Sequence, residues 1–314
     1  MTRRKFLSAT ATGGAIVLAG GLPKLVMAAV SATEKSFQLG GDLEVNRLGF
    51  GAMRITGAGI WGWPPDRETA KKVLRRAIEL GVNLIDTADA YGPETSELLI
   101  AEALHPYPKG LVIATKGGIT RPGPGNWVPN CRPEYLSQCV DKSLKRLKLE
   151  RIDLYQLHTV DRKVPIQESV GALKKAQDAG KIRHVGLSNV TVKDIELAKK
   201  VVPIVSVQNR YNLNDRESQD VLDYCEKEKM GFLPWAPIGG SGRGSLAKSG
   251  NFLEGEAKRH NCNPVQLALA WLLQKSPVML PIPGTANIAH LEQNMAAAKI
   301  QLSPEEWKKI EAAA

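Results

Sequence analysis

The sequence has few of the residues that build metal centres or disulfides. Only four of its 314 residues are cysteines, and none forms a C-x-x-C pair, which argues against a zinc or thioredoxin-like site. On a single helix, Cys131 and Cys139 would be about 12 Å apart, too far to bridge. We interpret all four cysteines as free thiols; the other two are Cys225 and Cys262. No clustered His and Asp residues predict a metal ion, which disfavours a metal-dependent hydrolase.

A basic stripe interleaved with aromatic residues is also lacking, although the formal net charge is +10. Residues 1–28 contain four basic residues and no acidic one. Elsewhere the basic residues occur in pairs such as Lys71-Lys72 and Lys145-Arg146, which are typical of solvated helix faces. We therefore expect no nucleic-acid partner.

The apolar run at residues 9–22 is too short and too rich in glycine for a membrane span. It follows Thr2-Arg3-Arg4-Lys5-Phe6-Leu7 and precedes Val26-Met27-Ala28, an A-x-A-like cleavage site. These three parts resemble a twin-arginine signal peptide, here residues 1–28. The resemblance implies a cytoplasmic precursor, recognition by the twin-arginine export machinery, a periplasmic or extracellular product, and no stable membrane span after cleavage. The alternative is an uncleaved cytoplasmic tail.

No G-x-G-x-x-G motif follows the first predicted strand, which disfavours a Rossmann domain. Instead, short apolar strands alternate with amphipathic helices, a pattern that indicates a parallel sheet. The strands are predicted at residues 47–52, 83–86, 111–116, 152–158, 182–188, 204–208, 232–235 and 278–282. The helices are predicted at residues 67–80, 95–104, 133–147, 166–179, 192–200, 216–229, 263–274 and 288–298.

Eight such units favour a closed (β/α)8 barrel over an open sheet. The barrel is predicted to span residues 36–314, with 43% hydrophobic residues in the whole chain to fill its core. Two additions are expected. Residues 36–46, centred on Gly40-Gly41, predict a β-hairpin before the first strand. Residues 303–313 predict an extra C-terminal helix, with Ser303 as N-cap.

Four polar residues lie at or just after the carboxyl ends of predicted strands, where barrel enzymes place their chemistry. Asp86 ends the second strand, Tyr91 follows it, Lys116 ends the third, and His158 ends the fourth. Reduction of a carbonyl group needs a proton donor beside a hydride donor. An ammonium group stabilises a phenolate and so lowers the pKa of a tyrosine. A carboxylate keeps the lysine charged, and a histidine can orient the carbonyl oxygen or assist proton transfer.

Separated motifs in the same order resemble those of the aldo-keto reductase family, over about residues 36–314. The first runs from Gly81 to Ala88 and continues with Tyr91-Gly92 and Ser96-Glu97. The second is Gly180-Lys181-Ile182-Arg183-His184-Val185-Gly186-Leu187-Ser188-Asn189. The resemblance implies an NADPH-dependent reductase of aldehydes or ketones. It makes Tyr91 the proton donor, Lys116 the group that tunes it, Asp86 the partner of Lys116, and His158 the residue that positions the substrate oxygen.

The resemblance also implies where the cofactor binds. Ser188, Asn189 and Gln208 match positions that hydrogen-bond the nicotinamide carboxamide. Trp235, at the end of the seventh predicted strand, matches a ring stacked under the nicotinamide, with core packing as the alternative. The pyrophosphate is expected along Ala236, Pro237, Ile238 and Gly239. Residues 240–250, with Arg243 and Lys248, are interpreted as either a strap over it or a flexible surface loop.

The adenosine side maps onto the amino terminus of a helix, which suits a phosphate. The matching residues are Thr285, His290, Gln293 and Asn294. Gly284 replaces a lysine that is common in the family, and His290 replaces a common arginine. Since both family residues would contact the 2′-phosphate, NADPH is the expected cofactor and NADH is the alternative.

The substrate is predicted only as a small carbonyl compound. The loops at 60–63 and 123–130 carry Trp61, Trp63 and Trp127, which either line an apolar pocket or pack the loops. They resemble the branch of the family with pyridoxal reductase-like members, which makes pyridoxal-type aldehydes one candidate. Sugar aldehydes and ketones are other candidates. A different class of function is a redox-sensing or partner-binding subunit that holds the cofactor on the same fold.

Overall fold

The computed structural model of the protein describes residues 35–239 and 245–313. The predicted signal peptide, residues 1–28, lies outside these ranges, as do residues 240–244 of the predicted strap. Within the described ranges, no helix has both the length and the apolar character needed to cross a membrane.

A β-hairpin opens the described chain where the sequence predicts one. Strands β1 (Ser36–Leu39) and β2 (Leu43–Asn46) pair antiparallel. Gly40 and Gly41 adopt positive φ angles of 65° and 83°, which glycine tolerates without steric cost. The hairpin's inward side chains join the apolar cluster inside the main sheet, so it covers the amino-terminal end of that sheet.

The main sheet is parallel and curled, and in the described ranges it has seven strands. They are β3 (Phe50–Gly51), β4 (Leu84–Asp86), β5 (Val112–Gly117), β8 (Ile152–Leu157), β9 (Ile182–Ser188), β10 (Ile204–Gln208) and β11 (Gly231–Phe232). Their order across the sheet is β11-β10-β9-β8-β5-β4-β3. Between β5 and β8, a small antiparallel pair is formed by β6 (Ile119–Thr120) and β7 (Val128–Pro129). The first and seventh predicted strands, at residues 47–52 and 232–235, correspond to the shorter strands β3 and β11. Trp235 therefore follows β11 and does not end it.

The eighth predicted strand, residues 278–282, is not a regular strand, but its segment bonds to both edges of the sheet. The Leu280 amide donates to the Phe232 carbonyl over 2.8 Å, and the Gly49 amide donates to the Pro281 carbonyl over 2.9 Å. Pro281 and Pro283 have no N–H, so this segment only accepts bonds from the β3 side. A Cβ on Gly51 would lie 2.6 Å from the Ile282 carbonyl oxygen, which explains a glycine at this close approach.

Ten α-helices occur in the described ranges, and a second, larger apolar core lies between them and the sheet. They are α1 (Arg67–Glu79), α2 (Thr95–Leu104), α3 (Pro133–Leu147), α4 (Ile166–Asp178), α5 (Val192–Lys199), α6 (Gln219–Glu228), α7 (Gly250–Arg259), α8 (Pro264–Lys275), α9 (Ile288–Ala296) and α10 (Pro304–Ala312). Helix α6 begins three residues after the predicted start at Arg216, and α10 has the expected capping box between Ser303 and Glu306.

Helix α7 was not predicted, because the glycine- and serine-rich stretch before it has the composition of a loop. Its apolar side, including Leu253 and Ala257, is buried in the larger core. All four cysteines are free thiols, as the sequence predicts.

Candidate active site

A buried ion pair lies at the centre of the site. Lys116, at the carboxyl end of β5, donates to Asp86 Oδ2 over 2.7 Å and to the Thr87 carbonyl over 2.7 Å. The two side chains are 0% and 3% exposed. Burial alone would lower the pKa of Lys116, but Asp86 and Tyr91 together outweigh it, and the pKa lies above its ordinary value. The lysine is therefore charged at neutral pH.

Two glutamines satisfy the other oxygen of Asp86. Gln208 on β10 and Gln156 on β8 donate to Asp86 Oδ1 over 2.7 and 3.2 Å. The amide N–H of Gln208, expected beside a nicotinamide, is thus already engaged with a carboxylate, because a buried charge needs donors. Sequence reasoning missed Gln156. Its signal was an amide side chain two positions before His158, between the buried apolar residues of β8.

Tyr91 lies on the loop after β4, with its hydroxyl 3.4 Å from Lys116 Nζ. The sequence predicts that Lys116 lowers the pKa of this tyrosine. In the structure, burial raises the pKa of Tyr91 above its usual value and outweighs the lowering by Lys116, while Asp86 adds to the rise. The phenol is therefore protonated at neutral pH, which is the form a proton donor needs.

His158 follows β8, and its ring centroid lies 5.8 Å from that of Tyr91. Burial, together with the positive charges of Lys116 and Arg121, holds the pKa of His158 well below its usual value. The imidazole is therefore neutral at pH 7. A neutral imidazole can donate one hydrogen bond to a carbonyl oxygen, which favours orientation of the substrate over proton supply.

Three of the predicted nicotinamide residues form a connected group beside the tetrad of Asp86, Tyr91, Lys116 and His158. Asn189 donates to the His158 carbonyl over 3.0 Å and to Ser188 Oγ over 3.1 Å. Its own oxygen accepts the Trp235 indole N–H over 3.0 Å. Trp235 is half-buried and belongs to neither apolar core. This placement disfavours the core-packing alternative.

We predict that NADPH binding quenches tryptophan fluorescence and that Trp235→Ala removes most of the quench and weakens binding. The reason is that the half-exposed indole lies next to Asn189, where stacking with a flat ring is available. Titration of the emission with NADPH measures both quantities. Trp63→Leu is the control, since Trp63 is exposed and stacks on Arg67. An unchanged quench in Trp235→Ala would contradict the prediction.

The predicted pyrophosphate segment, residues 236–239, forms a turn after Trp235. The Gly239 amide donates to the Ala236 carbonyl over 2.9 Å, and Asn212 Nδ2 donates to the same carbonyl over 3.0 Å. Ala236 and Gly239 both have positive φ angles, while Pro237 and Ile238 lie between them. Of the predicted strap, Arg243 lies outside the described residues.

The predicted adenosine residues lie along α9 and in the turn before it. Thr285 Oγ1 accepts the Asn287 amide, and Asn287 caps the helix by accepting the His290 amide, each over 3.0 Å. His290 and Gln293 are exposed, whereas Asn294 is buried. The structure thus places His290, Gln293 and Asn294 on α9 and Thr285 two residues before its N-cap, Asn287. A separate cavity of about 340 Å³ lies at the opposite end of the sheet, beside Arg47 and Gly81, and contains none of them.

Asp89, two residues before Tyr91, is a buried acid that the sequence did not single out. It is 8% exposed and lines a cavity of about 110 Å³ together with Cys139 and Arg146. Burial and the nearby negative charge of Glu97 raise the pKa of Asp89 to about 7, against the opposing effects of Cys139 and Arg146. The loop that carries Tyr91 therefore contains a group that ionises near neutral pH.

We predict that Asp89→Asn stabilises the protein more at about pH 8 than at about pH 5. The pKa of Asp89 is about 7 in the folded protein, above the ordinary value of 3.8 expected in the unfolded chain. Between these two pH values the folded protein keeps a proton that the unfolded chain has lost, so the free energy of unfolding falls as pH rises. The advantage of the variant in the free energy of unfolding should grow by about 3 kcal/mol from pH 5 to pH 8. Urea unfolding at both pH values measures it. An equal difference at the two pH values would contradict the assignment.

The predicted substrate loops separate into two groups. The ring of Trp127 lies 6.3 Å from that of Tyr91 and 6.4 Å from that of His158, so this residue belongs to the site. Trp63 instead stacks on Arg67, 3.8 Å from its guanidinium, and packs the loop. No set of three His, Cys, Asp or Glu side chains within residues 35–239 and 245–313 comes together as a metal site.

Comparison with known proteins shows which family the chain is similar to. The model of the Aldo/keto reductase family matches residues 47–314. An uncharacterized oxidoreductase of Schizosaccharomyces pombe is 50% identical over 90% of this chain and 91% of its own. Pyridoxine 4-dehydrogenase of Escherichia coli is 41% identical over 84% of this chain and 93% of its own.

The fold of the chain is also similar to the folds of solved structures. A glycerol dehydrogenase from Gluconobacter oxydans superimposes with a TM-score of 0.81 at 26% identity, over 89% of this chain and 94% of its own. An aldo-keto reductase from Klebsiella pneumoniae in complex with NADPH gives a TM-score of 0.75 at 26% identity, over 88% and 94% of the two chains.

Proposed function

The chain belongs to the aldo/keto reductase family and is an NAD(P)H-dependent oxidoreductase, and from this premise we propose that it reduces aldehydes or ketones to alcohols with Tyr91 as the proton donor. NADPH, when bound, supplies the hydride. His158, neutral at pH 7, donates a hydrogen bond that orients the carbonyl oxygen toward Tyr91. The Tyr91 hydroxyl then transfers its proton to that oxygen as negative charge develops on it.

Lys116 lowers the cost of leaving Tyr91 as a phenolate after the transfer. Its ammonium group is 3.4 Å from the hydroxyl and is held by Asp86, so it need not reorganise during the reaction. The observation that carries the proposal is this buried lysine, charged and pointed at a protonated tyrosine. This arrangement suits the transfer of a single proton from the hydroxyl oxygen of Tyr91.

The proposal is tested by steady-state turnover on a panel of aldehydes and ketones, with NADPH and with NADH. We expect carbonyl-dependent oxidation of NADPH that yields the alcohol. The 41% identity to pyridoxine 4-dehydrogenase supports pyridoxal-type aldehydes as one part of the panel, beside sugar aldehydes and ketones. Tight NADPH binding without turnover of any of them would overturn the proposal and favour the redox-sensing or partner-binding alternative.

NADPH is the cofactor, and we predict that His290→Arg strengthens its preference over NADH. His290 is exposed at the capped terminus of α9, where an arginine would place a permanent forked charge beside a 2′-phosphate. The ratio of kcat/KM for NADPH to that for NADH should rise by about tenfold, as expected for one charge-assisted contact. Gln301→Arg, at the opposite end of the sheet, is the control for added charge. An unchanged ratio would remove His290 from the 2′-phosphate site.

We further infer that the curled sheet and the segment at 278–283 together make a closed (β/α)8 barrel. The backbone bonds from this segment to both β3 and β11 support closure. Closure would place the carboxyl ends of all eight strands around one site.

For localisation, we propose that the protein folds and binds its cofactor in the cytoplasm and is then exported folded. Arg3-Arg4 ahead of an apolar run on a cofactor-binding chain supports this. Replacing Arg3 and Arg4 with lysines keeps the charge and should trap active precursor inside the cell. Fractionation with an antibody checks it. Wild-type protein found only in the cytoplasm at full precursor mass would refute export and leave the reductase function intact.

A further inference from the structure

One arginine next to the site holds three loops together. Arg121, which follows β6, donates through Nη1 to the carbonyls of Ala90 and Ile60 over 2.8 and 3.3 Å. Through Nε it donates to the carbonyl of Asn126 over 3.0 Å. Ala90 precedes Tyr91, Ile60 lies on the loop after β3, and Asn126 precedes Trp127. Each of these acceptors is a backbone carbonyl, and among residues 35–239 and 245–313 no carboxylate pairs with Arg121.

The same guanidinium stacks on the indole of Trp127, with its carbon 3.7 Å from the ring centroid. A cation in this position is attracted by the electron-rich face of the ring. It covers one face of the indole and fixes the ring's orientation through the three carbonyl bonds. Trp127 is nevertheless 36% exposed, so part of the ring remains accessible.

The rings of Trp127, Tyr91 and His158 are close to mutually perpendicular. Trp127 makes interplanar angles of 73° with Tyr91 and 76° with His158, and those two rings make 82° with each other. Three perpendicular walls form a corner, with the proton donor and the orienting imidazole on two of them. The ring of Trp127 contacts both of the others, so it is within reach of a group attached to a carbonyl whose oxygen lies between Tyr91 and His158.

We propose that Arg121 is a positioning residue that fixes Trp127 as the third wall of the substrate site, and that this wall selects carbonyl compounds whose carbonyl carbon is attached to a planar ring. The inference rests on the proposed reductase function and adds a substrate class to it. A flat aryl or heteroaryl ring gains offset stacking or edge contact with an immobilised indole. A saturated ring of similar size is too thick for the same contact.

The Arg67–Trp63 pair provides a matched control. Its stacking distance of 3.8 Å is nearly the same, and Trp63 is 44% exposed. Arg67, however, is bonded to the Glu102 carboxylate rather than to loop carbonyls. Trp63 makes no ring contact with Tyr91 or His158 among the described residues.

The experiment compares kcat/KM for benzaldehyde and cyclohexanecarbaldehyde, which differ in planarity but little in size. The intrinsic reactivities of the two aldehydes differ, so the measured quantity is the change of their ratio between variants, in which that difference cancels. We expect Trp127→Leu to lower the benzaldehyde-to-cyclohexanecarbaldehyde ratio by about tenfold and Trp127→Phe to restore most of it. Trp63→Leu should leave the ratio unchanged.

Arg121→Lys keeps the charge but loses the forked donors, so it should lower the ratio in the same direction. In the Trp127→Leu background it should change the ratio no further, because the ring that it positions is absent. The NADPH dissociation constant of each variant reports whether the cofactor site remains folded.

An unchanged ratio in Trp127→Leu overturns the substrate class. Equal effects of Arg121→Lys with and without Trp127 overturn the positioning role. If the wild type reduces neither these aldehydes nor any other carbonyl of the panel, the proposed function itself fails, and the inference fails with it.

Discussion

Tyr91→Phe is expected to abolish carbonyl reduction while NADPH still binds. The substitution removes one oxygen atom, which is the proton donor in the proposed reaction, and leaves the ring and its packing in place. A lost general acid lowers kcat by about 10²- to 10⁴-fold. Among the described residues, the Tyr91 hydroxyl bonds to Lys116 and not to Ser188, Asn189 or Trp235, so the NADPH dissociation constant should change little.

Single-turnover kinetics with bound NADPH measures the chemical step, and fluorescence titration measures binding. Tyr155→Phe serves as a control, because Tyr155 is a buried tyrosine on β8 that lies outside the tetrad. A Tyr91→Phe variant that kept more than about a tenth of the wild-type rate, a loss below about 1.4 kcal/mol, would exclude Tyr91 as the acid.

Lys116→Met should damage both turnover and stability. Without the ammonium group, nothing of opposite charge compensates the phenolate left on Tyr91 or the Asp86 carboxylate 2.7 Å from the lysine. Breaking a buried ion pair from one side costs about 3–5 kcal/mol, because the remaining charge is desolvated and unpaired. We expect a lower midpoint in urea unfolding together with turnover reduced to the level of Tyr91→Phe.

The double variant Asp86→Asn/Lys116→Met separates the two effects. The asparagine side chain introduced at position 86 would carry no charge, yet its oxygen could still accept from Gln208 and Gln156, which now donate to Asp86 Oδ1. Stability should therefore recover to a large extent while turnover stays absent. Recovery of turnover in the double variant would show that Lys116 acts only as a structural partner of Asp86.

The regular elements were largely predictable from the sequence. Helices α2 and α3 and strands β9 and β10 have the predicted bounds, because their apolar periodicity and end signals agree. The sequence was less informative at 278–283, where prolines interrupt the ladder, and at α7, whose helical character follows from burial of Leu253 and Ala257. Contacts with distant segments determine both, and local composition does not record them.

The tetrad was predictable because the carboxyl ends of parallel strands meet at one edge, so strand order alone brings Asp86, Lys116 and His158 together. The protonation states were not predictable. The sequence indicates that Lys116 lowers the pKa of Tyr91, whereas burial raises it and also holds His158 neutral. Desolvation depends on everything that packs around a group, which is a property of the assembled fold.

Residue types and their spacing along the chain were sufficient to predict an α/β fold, the family and the four residues that meet as the tetrad. Three features follow from tertiary contacts alone: Gln156 and Gln208 share one oxygen of Asp86, Asp89 is buried, and Arg121 joins three loops next to Trp127. The hydrogen bonds of Gln156, Gln208 and Arg121 link residues between 5 and 122 positions apart. Side chains so separated carry no periodic signal, and their partners are fixed only when the sheet curls and the loops close over its end.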